Sequence, residues 1–419
     1  MHLVIVTNEL ATADCSSGGL ASFTANLARI FWKNGHKVTI LLVTTKESEI
    51  TFDEGINLRN VYVEKAMWNK IAHMAENISF VTGEDKDIVR RILLCLYKSE
   101  LVNATVKEMH QEEQVDMIHA CNLDQLALGL DGSIPYVVRL SSYMWMWNKA
   151  DLPEPGNEYY DEAAFTFKDK LDISLLKKSK YIISPSNLLA EIGKQKMGIN
   201  PVVIESPFVL DRNRWDDSIY RHLAKGKKYI IHYGRMSYLK GTHIVAKIAE
   251  KILENHSDIY LLLAGMDEEM QDGTGQMVMA NELVRESAGR HADRVIYVGG
   301  PVRERIYPLI DSAELCLLPS RIENLANACV EAMAMGKIVI GTDGASYEQL
   351  IEDRVSGFLC ERDNPESFLQ AVEEALSMNG EEKQKMIEKA SMRIQQLSPE
   401  IIYEKYFSFY KHVIQEWNR

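Results

Sequence analysis

Short apolar runs alternate with segments of helical period along nearly the whole chain, and this alternation limits the fold more than any other feature. LVIVTN (3–8) leads through the glycine-bearing stretch SSGGL (16–20) into ASFTANLARIFWKNG, a helical pattern that ends at Gly35, and HKVTILLV (36–43) follows as a second strand. Strand, helix and strand in that order form the unit of a parallel α/β sheet. VDMIHA, IPYVVRL and KYIISPS continue the strand series. The pattern restarts at KKYIIHYG (227–234) and runs through IYLLLAG, RVIYVGG, AELCLLPS, GKIVIGT and GFLC. Two such series predict two Rossmann-like domains.

Residues 64–113 are expected to be mostly helical, and 143–170 is expected to be an irregular, aromatic-rich insertion. The charged, weakly periodic 207–227 stretch is taken as the linker region. The predicted domains are 1–210, 211–400 and a terminal amphipathic helix at 401–419.

Charge and cysteine usage narrow the function classes. A net charge of −13 opposes sequence-independent nucleic-acid binding, which needs a basic footprint. The six cysteines are scattered and form no CxxC pair, as expected of reduced thiols in a cytoplasmic setting. No apolar run reaches the ~18 residues of a membrane span, and the first residues, MHLVIVTNEL, read as a strand rather than a signal peptide. The basic clusters LLKKSK and KGKK are short, so any membrane contact is expected to be weak and peripheral, at the inner face.

Four stretches carry candidate chemistry. ENLANACVEAMAMG (323–336) reads as a buried helix, yet it holds two carboxylates, Glu323 and Glu331. Burying an unpartnered carboxylate costs several kcal/mol, so both need partners. HYGRMSYLKG (232–241) places Arg235 and Lys240 between Gly234 and Gly241 at a strand–helix turn. Two cations at a helix start suit a phosphate or diphosphate; the same turn can equally be a solvated basic junction, and its lysine precedes the glycine, so it is no Walker loop. Gly18 and Gly19 stand where a helix begins, with N–H groups that a ligand can approach. His119 sits near the end of a strand, where open α/β sheets place ligands, although a lone histidine is more often structural.

In this order the motifs resemble the GT-B glycosyltransferases of family 4, the large retaining group among the group 1 glycosyl transferases. The resemblance covers nearly the whole chain, and its strongest marks are G-R-x(4)-K-G at 234–241 and E-x(7)-E at 323–331. It implies two Rossmann-like domains facing a central cleft, with the terminal helix crossing back to the N-terminal one. The N-terminal domain would bind the acceptor and the C-terminal domain a nucleotide-sugar donor.

By the same resemblance, Arg235 and Lys240 would grip the donor diphosphate beside Gly234. Glu323 would lie near the transferred sugar, and Glu331 would bond the ribose. The N–H groups of Asn324, Leu325 and Ala326, taken as a helix start, would meet sugar hydroxyls or the distal phosphate. Gly18 and Gly19 would lie near the phosphates and the acceptor, and His119 at the reaction centre. The chain departs from many relatives at Ala326, at Cys121 and Asn122, and at Ser141 and Ser142.

The implied activity is retaining transfer of a sugar to a glycan, lipid-linked or small-molecule hydroxyl acceptor in polysaccharide or glycoconjugate biosynthesis. The leaving phosphate would take the acceptor proton, and no metal or other cofactor would be required. The alternative is a non-catalytic accessory subunit of the same fold. Such a subunit would be expected to lose Arg235, Lys240 or Glu323, and all three are present.

Overall fold

A computed structural model describes residues 1–11, 18–44, 52–53, 55–156 and 160–419. The chain forms two compact units. The first comprises Met1–Trp145, Asp161–Pro207 and Pro399–Arg419; the second comprises Met146–Tyr160 and Phe208–Ser398. The 208–227 stretch, expected as a linker, therefore belongs to unit 2, where it holds a 3₁₀ turn at Arg212–Arg214 and a wider π-helical turn at Tyr220–Ala224. The 146–160 stretch belongs to unit 2 as well, although its sequence neighbours on both sides are in unit 1.

Unit 1 is built on the strands β1 (His2–Thr7), β2 (Lys37–Thr44), β3 (Asn57–Tyr62), β4 (Met117–Cys121), β5 (Tyr136–Arg139), β6 (Ile182–Ser184) and β7 (Val202–Val203). They form one sheet, ordered β3-β2-β1-β4-β5-β6-β7, and every pairing is parallel. β1 and β4 are buried along their whole length, as strands covered on both faces must be. The helices are α1 (Gly19–Lys33), α2 (Lys65–Thr82), α3 (Lys86–Glu112), α4 (Met144–Ala150), α5 (Phe167–Lys178) and α6 (Asn187–Ile192). α4 crosses the boundary between the two units, and with α5 it makes the described part of the 143–170 region more regular than its sequence suggests.

Unit 2 holds β8 (Lys228–Tyr233), β9 (Ile259–Ala264), a separate antiparallel pair β10 (Glu269–Gln271) and β11 (Met277–Met279), then β12 (Val295–Tyr297), β13 (Leu315–Leu318), β14 (Ile338–Thr342) and β15 (Phe358–Cys360). Its main sheet is ordered β12-β9-β8-β13-β14-β15, again all parallel. This is the doubly wound order, with the switch point between β8 and β13. Its helices are α7 (Thr242–Asn255), α8 (Ala280–Ser287), α9 (Arg303–Asp311), α10 (Asn327–Ala334), α11 (Pro365–Ser377) and α12 (Gly380–Gln395). One core layer packs Ile244, Ile248 and Ile252 of α7 and Phe368 and Val372 of α11 on Ile230, Leu261 and Leu317 of the sheet.

The last helix, α13 (Pro399–Trp417), is part of unit 1. Tyr406, Tyr410 and Val413 are buried there. Tyr406 Oη donates to the Ile204 carbonyl at 3.3 Å, and Trp417 Nε1 to that of Gly132 at 2.8 Å. Among the described residues, no helix is long and apolar enough to cross a membrane.

Candidate active site

The carboxyl ends of β8 and β13, where the sheet order of unit 2 reverses, bring most of the expected residues together. Such a switch point is where doubly wound sheets leave a crevice for ligands. Gly234 and Gly241 bound the loop after β8. Gly241 has φ +74°, and a Cβ there would stand 1.9 Å from the Pro319 carbonyl oxygen, so no side chain fits. Gly265, after β9, is equally constrained, since its Cβ would meet the Gly234 oxygen at 1.6 Å. These close approaches clamp the loop after β8 between its neighbours. Below it, His232 is fixed by the Leu317 carbonyl at 2.9 Å and the Thr242 hydroxyl at 3.0 Å, and burial lowers its pKa to about 4.

The loop's two cations are already engaged by acids. Lys240 Nζ donates to Glu323 Oε1 at 2.6 Å, with both side chains mostly buried. Arg235 Nη2 lies 3.1 Å from Asp151 Oδ2, and its Nη1 lies 3.4 Å from Glu268 Oε1. Asp151 Oδ1 also accepts the Leu239 N–H at 2.6 Å. The Ser237 hydroxyl, in the same loop, is buried without a hydrogen-bond partner. Glu323 is tied through its N–H to the Ala345 carbonyl at 3.0 Å. α10 begins at Asn327, not at Asn324, so Asn324, Leu325 and Ala326 form the turn that enters the helix. Ala326 supplies no side-chain cap to it.

Arg321 was not singled out from the sequence. It is 3% exposed and ties the site together. Its N–H donates to the Leu239 carbonyl at 2.8 Å. Its guanidinium donates to Asp363 at 2.8 Å and to the carbonyls of Ala150 (3.1 Å), Leu152 and Pro153 (3.1 Å). Asp363, held also by His243 at 2.8 Å, has its pKa lowered to about 2: these two partners outweigh the burial that would raise it. No local pattern marks Arg321 in the sequence beyond its place two residues before Glu323, just after a strand.

Glu331 stands inside α10 and is buried. Its Oε1 lies 3.0 Å from Arg303 Nε and accepts from Tyr307 Oη at 3.2 Å, both from α9. Burial raises its pKa even with Arg303 beside it. Trp215 packs edge-on against Tyr307, with ring centroids 6.1 Å apart.

The remaining expected residues belong to unit 1. Gly18 and Gly19 are exposed where α1 begins, and Ser16 and Ser17 lie outside the described residues. The strand-end placement expected for His119 is not observed. It is the middle residue of β4, paired with Ile5 and Val137, and is 2% exposed. Its Nδ1 bonds Tyr410 Oη at 2.7 Å, and Phe23 and Tyr406 enclose the ring. Burial, with Arg139 nearby, lowers its pKa to about 3. It is a neutral core residue of this unit. Ser141 accepts from Arg139 at 2.9 Å. The aromatics Tyr143 and Trp145 stack at 5.3 Å and are buried, so they pack as core; Tyr159 lies outside the described residues.

Among the described residues no cluster of three or more histidine, cysteine or acidic side chains could hold a metal ion. What unit 2 presents is a turn of cations, N–H groups and acids, suited to binding and stabilising a phosphorylated leaving group.

Residues 213–393 match the family model described as glycosyl transferases, group 1. An uncharacterised glycosyltransferase of Methanocaldococcus jannaschii is 24% identical over 86% of this chain and 85% of its own. Among solved structures, sucrose-phosphate synthase from Thermosynechococcus elongatus aligns with a TM-score of 0.70 and 15% identity, over 99% of both chains. An Anabaena protein, HepE, solved with UDP and glucose, aligns with a TM-score of 0.65 and 15% identity, over 98% of this chain and 100% of that one.

Proposed function

We propose that the chain, whose residues 213–393 match the group 1 glycosyl transferases and whose fold is that of its GT-B neighbours, moves a sugar from a nucleotide-sugar donor to a hydroxyl acceptor with retention of configuration. Unit 2 binds the donor, and unit 1 the acceptor. The observation that carries this reading is the Lys240–Glu323 pair, 2.6 Å apart at the β8–β13 switch point, with Arg235 in the same loop.

Arg235 and Lys240 take the diphosphate and stabilise the charge that develops on it as the sugar leaves, the work a divalent cation does in other transferases. Lys240, bonded to Glu323 at 2.6 Å, orients the acid beside the transferred sugar. The Asn324–Ala326 turn offers N–H groups to sugar hydroxyls or the distal phosphate. Glu331, braced by Arg303 and Tyr307, receives the ribose hydroxyls. No step runs through His119, which is buried and neutral; the departing phosphate takes the acceptor proton, and positioning supplies most of the acceleration. No metal is required in this scheme. The acceptor is a glycan, lipid-linked or small-molecule hydroxyl, in glycoconjugate or polysaccharide assembly.

Incubation with UDP-, GDP-, ADP- and dTDP-sugars, following nucleotide release and thermal stabilisation, tests the proposal. The UDP in the Anabaena structure makes uridine donors the first to try. One donor class should raise the melting temperature and release its nucleotide. Silence across the panel would overturn the reading.

A further inference from the structure

We propose that Asp151 is an internal competitor for the donor's phosphate, its carboxylate occupying the anion seat of the loop after β8 until the donor displaces it. The inference rests on the reading of that loop as the diphosphate site. Asp151 Oδ2 lies 3.1 Å from Arg235 Nη2, and Oδ1 accepts the Leu239 N–H at 2.6 Å. A guanidinium and a backbone N–H at a strand–helix turn are the donors that hold phosphate. One carboxylate already satisfies both. A diphosphate brought to Arg235 would meet a like charge at contact distance, so the two anions exclude each other.

The segment that carries Asp151 has a second, independent anchor. Arg321 grips it through the carbonyls of Ala150, Leu152 and Pro153, and Asp363 holds Arg321 in turn. The backbone of the segment is therefore fixed without help from the Asp151 side chain. That side chain is about a quarter exposed (26%), so a rotation brings its carboxylate to water while the segment stays in place. Donor affinity is then the difference between two anions bound at one seat, and Asp151 lowers it.

The test is calorimetric titration of inorganic pyrophosphate into the full-length protein and its variants. Asp151→Asn and Asp151→Ala should each bind about three- to tenfold more tightly than wild type, the scale of removing a half-exposed ion pair and one charge-assisted N–H bond. The alanine variant guards against a new bond from the amide. In an Arg235→Ala background the gain should shrink to the part that comes from freeing the Leu239 N–H. Melting temperatures taken in parallel identify any unfolded variant. Equal or weaker binding by folded D151N and D151A overturns the competition and leaves the phosphate seat standing. Loss of pyrophosphate binding from wild type and variants alike would remove the seat itself, and the competition with it.

Discussion

Glutamine and alanine at position 331 should give different outcomes, because the carboxylate there has two separable jobs. Its Oε1 receives Arg303 and Tyr307 in a buried setting. Its pKa is nevertheless raised, so the loss of water outweighs the attraction of Arg303. A neutral amide keeps an acceptor oxygen for both donors at a smaller desolvation cost. Glu331→Gln should therefore lie within about 1 kcal/mol of wild type in stability. Glu331→Ala leaves two donors facing a cavity, which costs ~2–4 kcal/mol. Arg303 is about a third exposed (31%) and can rehydrate, which favours the lower end, ~2–3 kcal/mol. For a unit of about 200 residues that is a melting shift of roughly 4–12 °C.

Catalysis should respond the other way. In E331Q a neutral hydrogen bond replaces a charged one to the ribose, worth ~1–1.5 kcal/mol, so donor KM should rise about 5- to 15-fold while kcat stays within about threefold. Thermal melts and steady-state kinetics on both variants decide it. If E331Q were as destabilised as E331A with donor KM unchanged, Glu331 would be a brace alone.

Three further outcomes are expected. Arg235→Ala and Lys240→Ala should each weaken nucleoside diphosphate binding by ~1–3 kcal/mol, read by calorimetry, and unchanged affinity in both would remove the phosphate assignment. Glu323→Gln should lower kcat by at least about tenfold with melting and nucleotide affinity retained, since an interaction stronger in the transition state shows in kcat; retained turnover would refute its role beside the sugar. Asp172 of unit 1 is buried, and although Asn122 donates to both its oxygens at 3.0 Å, burial raises its pKa from 3.8 to about 7. The folded state therefore holds its proton longer than the unfolded chain: the stability is full below about pH 4 and is lost as pH rises through about 7. Melting temperature should fall over that window in wild type and less in Asp172→Asn; parallel profiles would contradict this.

The alternation of strands and helices was legible because central parallel strands are mostly apolar and buried, as in β1, β2 and β8. Edge strands were not. β3, NLRNVY, buries only Val61 fully, and β7 is two exposed valines, so neither has the apolar run that marks its neighbours. The loop after β8 and Glu323 were legible because their residue types and spacing are local. Their partners are not local: Asp151 lies 84 residues from Arg235, and Glu331 meets Arg303 from another helix. His119 misled because an apolar run does not show where a strand ends. β4 continues two residues past it to Cys121, which leaves the imidazole within the packed sheet. The placement of Ala150–Pro153 in unit 2 left no mark in hydrophobic period, since Arg321 holds this segment through backbone carbonyls.

The most direct measurement is an experimental structure of the protein with a nucleoside diphosphate bound. Phosphate oxygens should lie within hydrogen-bond distance of Arg235 and Lys240 at the carboxyl ends of β8 and β13, ribose hydroxyls on Glu331, and the Asp151 carboxylate should be turned away from Arg235. A nucleotide bound elsewhere, with the Lys240–Glu323 and Arg235–Asp151 pairs undisturbed, would contradict it.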